Sequence, residues 1–102
     1  MLNNSVLLSI AANVLASASI ESVLRSSSYH ARGWQILDRW AFNSPERLRR
    51  LEADGEVILL GRLLEQQEIE HQVLSSALGM EQRSRGLAEH EVLAFYEITT
   101  EL

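Results

Sequence analysis

The chain has 102 residues, 46% of them apolar, with a formal net charge of −5, one proline, five glycines, no cysteine and no lysine. These values exclude a disordered chain, a disulfide scaffold, a thiolate metal centre and a cysteine nucleophile, and the acidity argues against a duplex-DNA binder, whose affinity rests on a basic face. They fit one small domain over residues 1–102 with a single core, in a reducing, cytoplasmic setting.

In chain order, Val6 to Ala18 is almost all apolar or small, but Met1-Leu2-Asn3-Asn4 supplies no positive charge ahead of it, and Ser5, Ser9, Asn13 and Ser17 interrupt it. A buried helix is expected there, not a secretory signal or a membrane span. The helix should run over 4–25, with Ser9, Asn13, Ser17 and Glu21 as a narrow polar stripe and the alanines at 11, 12, 16 and 18 admitting a close neighbour, either another helix or a second copy. Ser26-Ser27-Ser28 ends it, Tyr29 to Gly33 reads as a loop, and a short helix follows from Trp34 to Phe42. At Ser44-Pro45-Glu46 a helix should begin at residue 45: serine can cap, proline suits the first helical position, and the glutamate complements the dipole.

Asp54-Gly55 is a turn signal that the helical spacing overrides, so this helix is expected to continue, at most kinked, to about Leu78, with Gly55 tolerated at a cost of about 1 kcal/mol and Gly79 as its C-cap. A last helix covers Gly86 to about Thr100. No stretch has strand alternation. The expected fold is therefore all-α, a bundle of four or five helices that associates as a homo-oligomer. Charge divides along the chain: residues 1–50 hold six arginines against three acids, residues 51–102 three arginines against eleven. The two halves should attract, within one chain, between copies or through a charged partner.

The region Tyr29 to Arg50 concentrates aromatics and arginines, the residue types that dominate interface energetics, and Trp34, Arg39, Trp40, Arg47 and Arg50 are the candidate partner-binding residues. The competing reading places the tryptophans in the core. Leu60, Leu64, Gln67, His71 and Leu74 alternate in steps of four and three, the spacing of a helix-packing seam, with Gln67 and His71 as its polar members. Glu68-Ile69-Glu70-His71 also contains a Glu-x-x-His. A metal-binding alternative would use Glu68 and His71, with Glu65 as a third ligand, in a dimer that supplies the second half-site. Neither a Gly-x-Ser-x-Gly elbow nor a phosphate-cradling glycine loop occurs. The expected function is a noncatalytic protein-protein interaction module without cofactor or membrane anchor, such as an adaptor, chaperone, regulator or inhibitor. The other alternative is a single-stranded nucleic-acid-binding regulator that stacks bases on exposed tryptophans beside arginines.

Overall fold

Six α-helices and one 3-10 turn make up the regular structure of residues 8–102, the stretch of the chain described by the computed structural model. The turn is Ala11–Asn13, and the helices are α1 (Ser17–Arg25), α2 (Ala31–Asn43), α3 (Pro45–Asp54), α4 (Glu56–Ser75), α5 (Ala77–Ser84) and α6 (Glu89–Phe95). The fold is all-α as expected, with six helices in place of four or five and no strand among the described residues. None of these helices is long and apolar enough to cross a membrane.

Of the helix expected over 4–25, residues 4–7 lie outside the described residues, and the remainder is not continuous. Ala16 adopts an extended conformation, ψ 150°, between the 3-10 turn and α1. The break exposes backbone amides, and carboxylates from other helices take them. Ala11 N–H donates to Asp38 at 2.8 Å, and Ala16 N–H and the Ser19 hydroxyl donate to Glu52 at 2.9 and 2.7 Å. Charge-assisted bonds of this kind are among the stronger ones. Apolar periodicity cannot register them, because the acceptors lie 27 to 36 residues away.

The next helices are joined by single residues. Ser44 closes α2, donating its N–H to Trp40 O at 2.7 Å, and opens α3, accepting from Leu48 N–H at 3.0 Å. Pro45 starts α3 as expected, yet the Ser44 hydroxyl makes no capping bond. At Gly55 the expected continuous helix is broken, with φ 143° and ψ 139°. Only glycine adopts that backbone without strain, and the break folds α3 back on α4 so that Leu48 and Leu59 are both buried. The hinge relieves the roughly 1 kcal/mol penalty of a glycine inside a helix and adds the gain from burying an α3 leucine. The C-terminal end is corrected as well. α4 stops at Ser75, Ser76 caps α5 by accepting from Gly79 N–H at 3.0 Å, and Gly79 lies inside α5 instead of ending α4.

α4 is the central element and packs against α2, α3, α5 and α6. Its inward stripe is Leu59, Leu63, Gln66 with Gln67, Glu70 and Leu74, all buried. The expected stripe ran one residue later. Of its members, Gln67 and Leu74 are buried, Leu60 and Leu64 half-buried, and His71 exposed. The paired leucines at 59/60 and 63/64 fit both stripes equally, and the inward carboxylate of Glu70 selects between them. The polar residues of the stripe separate a larger apolar cluster from a smaller one. The larger gathers Leu37, Trp40, Leu48, Leu59 and Leu63 among others; the smaller joins Leu74, Val92 and Leu93.

Gln67 crosses from α4 to the start of α2, accepting from His30 N–H at 3.2 Å and donating to Ser28 O at 2.9 Å. Gly33 leaves it room: a Cβ at residue 33 would collide with Gln67 Oε1. Gly33→Ala is expected to destabilise the fold by about 1–3 kcal/mol, the cost of overpacking. That loss should shrink in a Gln67→Ala background, where the colliding atom is gone. Urea-unfolding midpoints of the four proteins in this double-mutant cycle check the coupling.

Candidate functional site

Arg39 and Trp40 are neighbours on α2 and meet α4 and the C-terminal residues together. The Arg39 guanidinium grips Glu70 with two bonds, Nη2 to Oε2 at 2.6 Å and Nη1 to Oε1 at 3.3 Å. The Glu70 side chain is 1% exposed and that of Arg39 27%. Gln66, one turn before Glu70, donates to its Oε2 at 2.7 Å and accepts from Arg62 Nη1 at 2.8 Å. Arg62 in turn lies over the Trp40 ring, 5.1 Å from its centroid. These side chains form a continuous network in which the buried carboxylate is both paired and hydrogen-bonded, the condition for burying charge at tolerable cost.

Residues 99–102 lie across this network. Thr100 O accepts from Arg39 Nε at 3.1 Å, Arg39 Nη2 at 2.7 Å and Trp40 Nε1 at 2.9 Å. Gln66 Nε2 also donates to Thr99 O at 2.8 Å, Asn43 Nδ2 to Glu101 at 3.1 Å, and Arg47 Nη1 to Leu102 O at 2.6 Å. The helix expected to reach Thr100 ends at Phe95, and beyond it irregular chain is held by side chains of α2, α3 and α4.

Three of the five candidate partner-binding residues, Arg39, Trp40 and Arg47, thus engage the protein's own terminal segment. Trp40 has no exposed surface, which corrects its assignment as a surface contact. Trp34 is half-buried against the main core, with its indole N–H buried and without a hydrogen-bond partner among the described residues. The two tryptophans therefore do not form an exposed base-stacking platform of the kind a single-strand binder needs. Arg47 and Arg50 are exposed. In the Glu-x-x-His segment, Glu65 and Glu68 face solvent, and exposed His71 packs edge-on against His30 with ring centroids 6.1 Å apart. Glu70 is the inward carboxylate there, and no group of three or more His, Asp or Glu side chains gathers as a metal site among the described residues.

A second ion cluster ties α2, α5 and α6. Glu89, the first residue of α6, takes two bonds from Arg32 at 3.2 and 3.1 Å and a third contact from Arg83 at 3.1 Å. The Arg32 hydrogen bonds, with the charge of Arg32 and Arg83, hold the Glu89 carboxyl below its ordinary value, against a smaller opposing effect of burial. Between the two ion clusters lies a cleft of about 400 Å³, lined by Ile36 and Leu93 as well as Arg32, Arg39, Glu70 and Glu89. On the far side, the Tyr29 hydroxyl donates to Leu60 O, and burial raises its pKa above the usual phenol value.

Sequence reasoning missed Gln66, Glu70 and residues 99–102. The signal for the first two was present, since Arg62, Gln66 and Glu70 recur every four residues on the stripe that begins at Leu59. Nothing in Thr99-Thr100-Glu101-Leu102 marks it as a docked segment. No family model, curated protein or solved structure matches this chain.

Glu70→Ala removes the carboxylate that Arg39 and Gln66 share, leaving them the Thr100 and Thr99 carbonyls and Glu101, and is expected to cost about 2 kcal/mol, whereas the joint replacement Arg39→Met with Glu70→Met should cost less, since no unmatched guanidinium then remains. Chemical denaturation of both variants separates the two outcomes. Because the folded pKa of Glu89 lies below its ordinary value of 4.5, its contribution to stability is present above that pH and lost as pH falls through the folded value. Unfolding midpoints of wild type and Glu89→Gln should differ at neutral pH and converge in acid.

Proposed function

We propose that the chain is a noncatalytic protein-interaction module that presents the outward face of α3 to an acidic surface of a partner protein. The supporting observation is an imbalance in charge pairing. Among the described residues Arg25, Arg32, Arg39, Arg83 and Arg85 each meet an acidic side chain, Arg62 meets Gln66 and the Trp40 ring, and Arg47 donates to Leu102 O. Arg49 and Arg50 meet no acidic side chain among the described residues, and both are exposed on α3. The helix before them ends beside Phe42, whose side chain is 74% exposed.

Guanidiniums without an acidic partner, on a helix that follows one carrying an exposed aromatic, have the composition of an interface hot spot. Each guanidinium offers a rigid fork of donors that matches a carboxylate in two bonds. An acidic patch on a protein need meet only the α3 face, with the acids of residues 51–102 screened beyond about 8 Å, whereas a phosphate backbone carries its charge along its whole length past them, which favours a protein partner over nucleic acid. With the polar network around Glu70 closed by internal bonds, no side chain there stands ready as a nucleophile or general base.

Arg49→Glu with Arg50→Glu reverses this face without touching an internal contact. The variant is expected to keep its helical circular dichroism and melting temperature, yet to lose ~2 kcal/mol or more in affinity for a partner captured by wild type at low salt. Capture by wild type should weaken as salt rises. Equal capture by both proteins would remove α3 as the docking face.

A further inference from the structure

The terminal segment is held mainly by its backbone. Carbonyls of Thr99, Thr100 and Leu102 take donors from Gln66, from Arg39 with Trp40, and from Arg47. Side-chain recognition is confined to Glu101, which meets Asn43 and Arg39, and to Leu102, which packs against the main core. Backbone contacts do not discriminate between sequences, so a linear segment carrying an acidic residue followed by an aliphatic one meets the same set of partners.

The receiving side is ordered by contacts of its own. Glu70 holds Arg39 by two bonds, and Gln66 is fixed between Arg62 and Glu70. Were the segment to leave, Trp40 Nε1–H and Arg39 Nε–H would lose their acceptor, and a stranded donor drives recapture of a carbonyl. The connection to α6 is strained: Glu97 has φ 59°, a left-handed conformation that a side chain disfavours. Space also remains on both flanks. The cleft of about 400 Å³ is bordered by Thr100, and a second of about 390 Å³ by Thr99 together with Arg62, Glu65 and Ile69.

We propose that the groove between α2 and α4 is a binding site for a linear acidic-aliphatic segment of a partner protein, and that residues 99–102 fill it in cis as a tethered competitor. A segment joined so closely to α6 acts at an effective concentration on the order of millimolar. A free segment of equal affinity displaces it poorly. A partner prevails by filling the space that the threonines leave, above all with a larger, polar-tipped side chain at the Thr100 position, where the cleft is bordered by Arg32, Gln35, Glu89 and His90 above the buried Ile36 and Leu93. The tethered residues thereby set an affinity threshold that excludes weak ligands. This proposal makes no use of Arg49 and Arg50 and stands or falls separately from docking through α3.

Labelled peptides reproducing residues 98–102, with and without Thr100→Tyr, are titrated into the full wild-type chain and into a full-length Glu101→Arg, Leu102→Asp variant, whose groove is intact but whose own segment has lost both side-chain anchors. The variant is expected to bind the Thr100→Tyr peptide at least tenfold more tightly than wild type does, and that peptide should bind more tightly than its parent. Binding should move the Trp40 indole N–H resonance, assigned by its loss in Trp40→Phe. Equal affinities, no binding, or binding that leaves the resonance in place would overturn the proposal. If the double variant does not fold, full-length Leu102→Ala is read in the same way, with at least a threefold gain expected and no gain overturning it. A dimer that added peptide dissociates, detected by light scattering of wild type, would make a second copy the occupant and overturn a partner's segment.

Discussion

A carboxylate with 1% of its surface exposed sits in the second half of the central helix, and the arrangement around it follows from the need to neutralise it. Glu70 requires a guanidinium with a matching fork, which Arg39 supplies, so α2 and α4 must lie side by side in one register. That register puts Trp40 under Arg62 and directs both Arg39 and the Trp40 indole at the same carbonyl, Thr100. An apolar residue at 70 would pack without any of these demands. The ion pair thus ties the alignment of α2 on α4 to one pair of side chains.

The division of charge between the two halves finds its counterpart inside the fold. Arg32 with Glu89, and Arg39 with both Glu70 and Glu101, join a basic first half to an acidic second half. Acids also serve the opening segment in place of local caps: Asp38 and Glu52 collect the amides of Ala11 and Ala16, and Glu56 takes the Ser22 hydroxyl at 2.8 Å. Glu52 takes the N–H of the residue that opens α1, the bond that a glutamate one turn into a helix makes in a capping box, but from 36 residues away. The N-terminal turn and α1 are consequently fastened to α2, α3 and α4 by polar bonds as well as by apolar packing.

Helical class was legible because apolar spacing and the absence of strand alternation depend only on local sequence, and the start of α3 was legible because proline acts on its own backbone. The hinges were not. Gly55 and Ala16 are breaks made worthwhile by burial of Leu48 and by capture of amides at Glu52, energies that belong to residues distant in sequence. Ser76 and Gly79 fit the end of one helix or the first turn of another, and tertiary packing chose the second. At the site, Arg39 and Trp40 stood out by composition, but their occupant did not, since Thr99-Thr100-Glu101-Leu102 has no periodicity that distinguishes a docked strap from the frayed end of a helix.

From Ala31 to Ser84 the chain is four helices joined by three single residues, Ser44, Gly55 and Ser76. Each joint is a single residue, and one added to it would displace and rotate the next helix relative to the one before it. Such a rotation would turn Leu48, Leu59 or Gly79 away from its neighbours. An added residue is tolerated best in the connection 85–88, where the exposed backbone around Gly86 has no packed face to lose, whereas 26–30 is held by the buried Tyr29 ring and by the bonds of Gln67 to Ser28 and His30. The scaffold that presents the arginines of α3 and the groove beside α4 thus leaves little room for an added residue between Ala31 and Ser84.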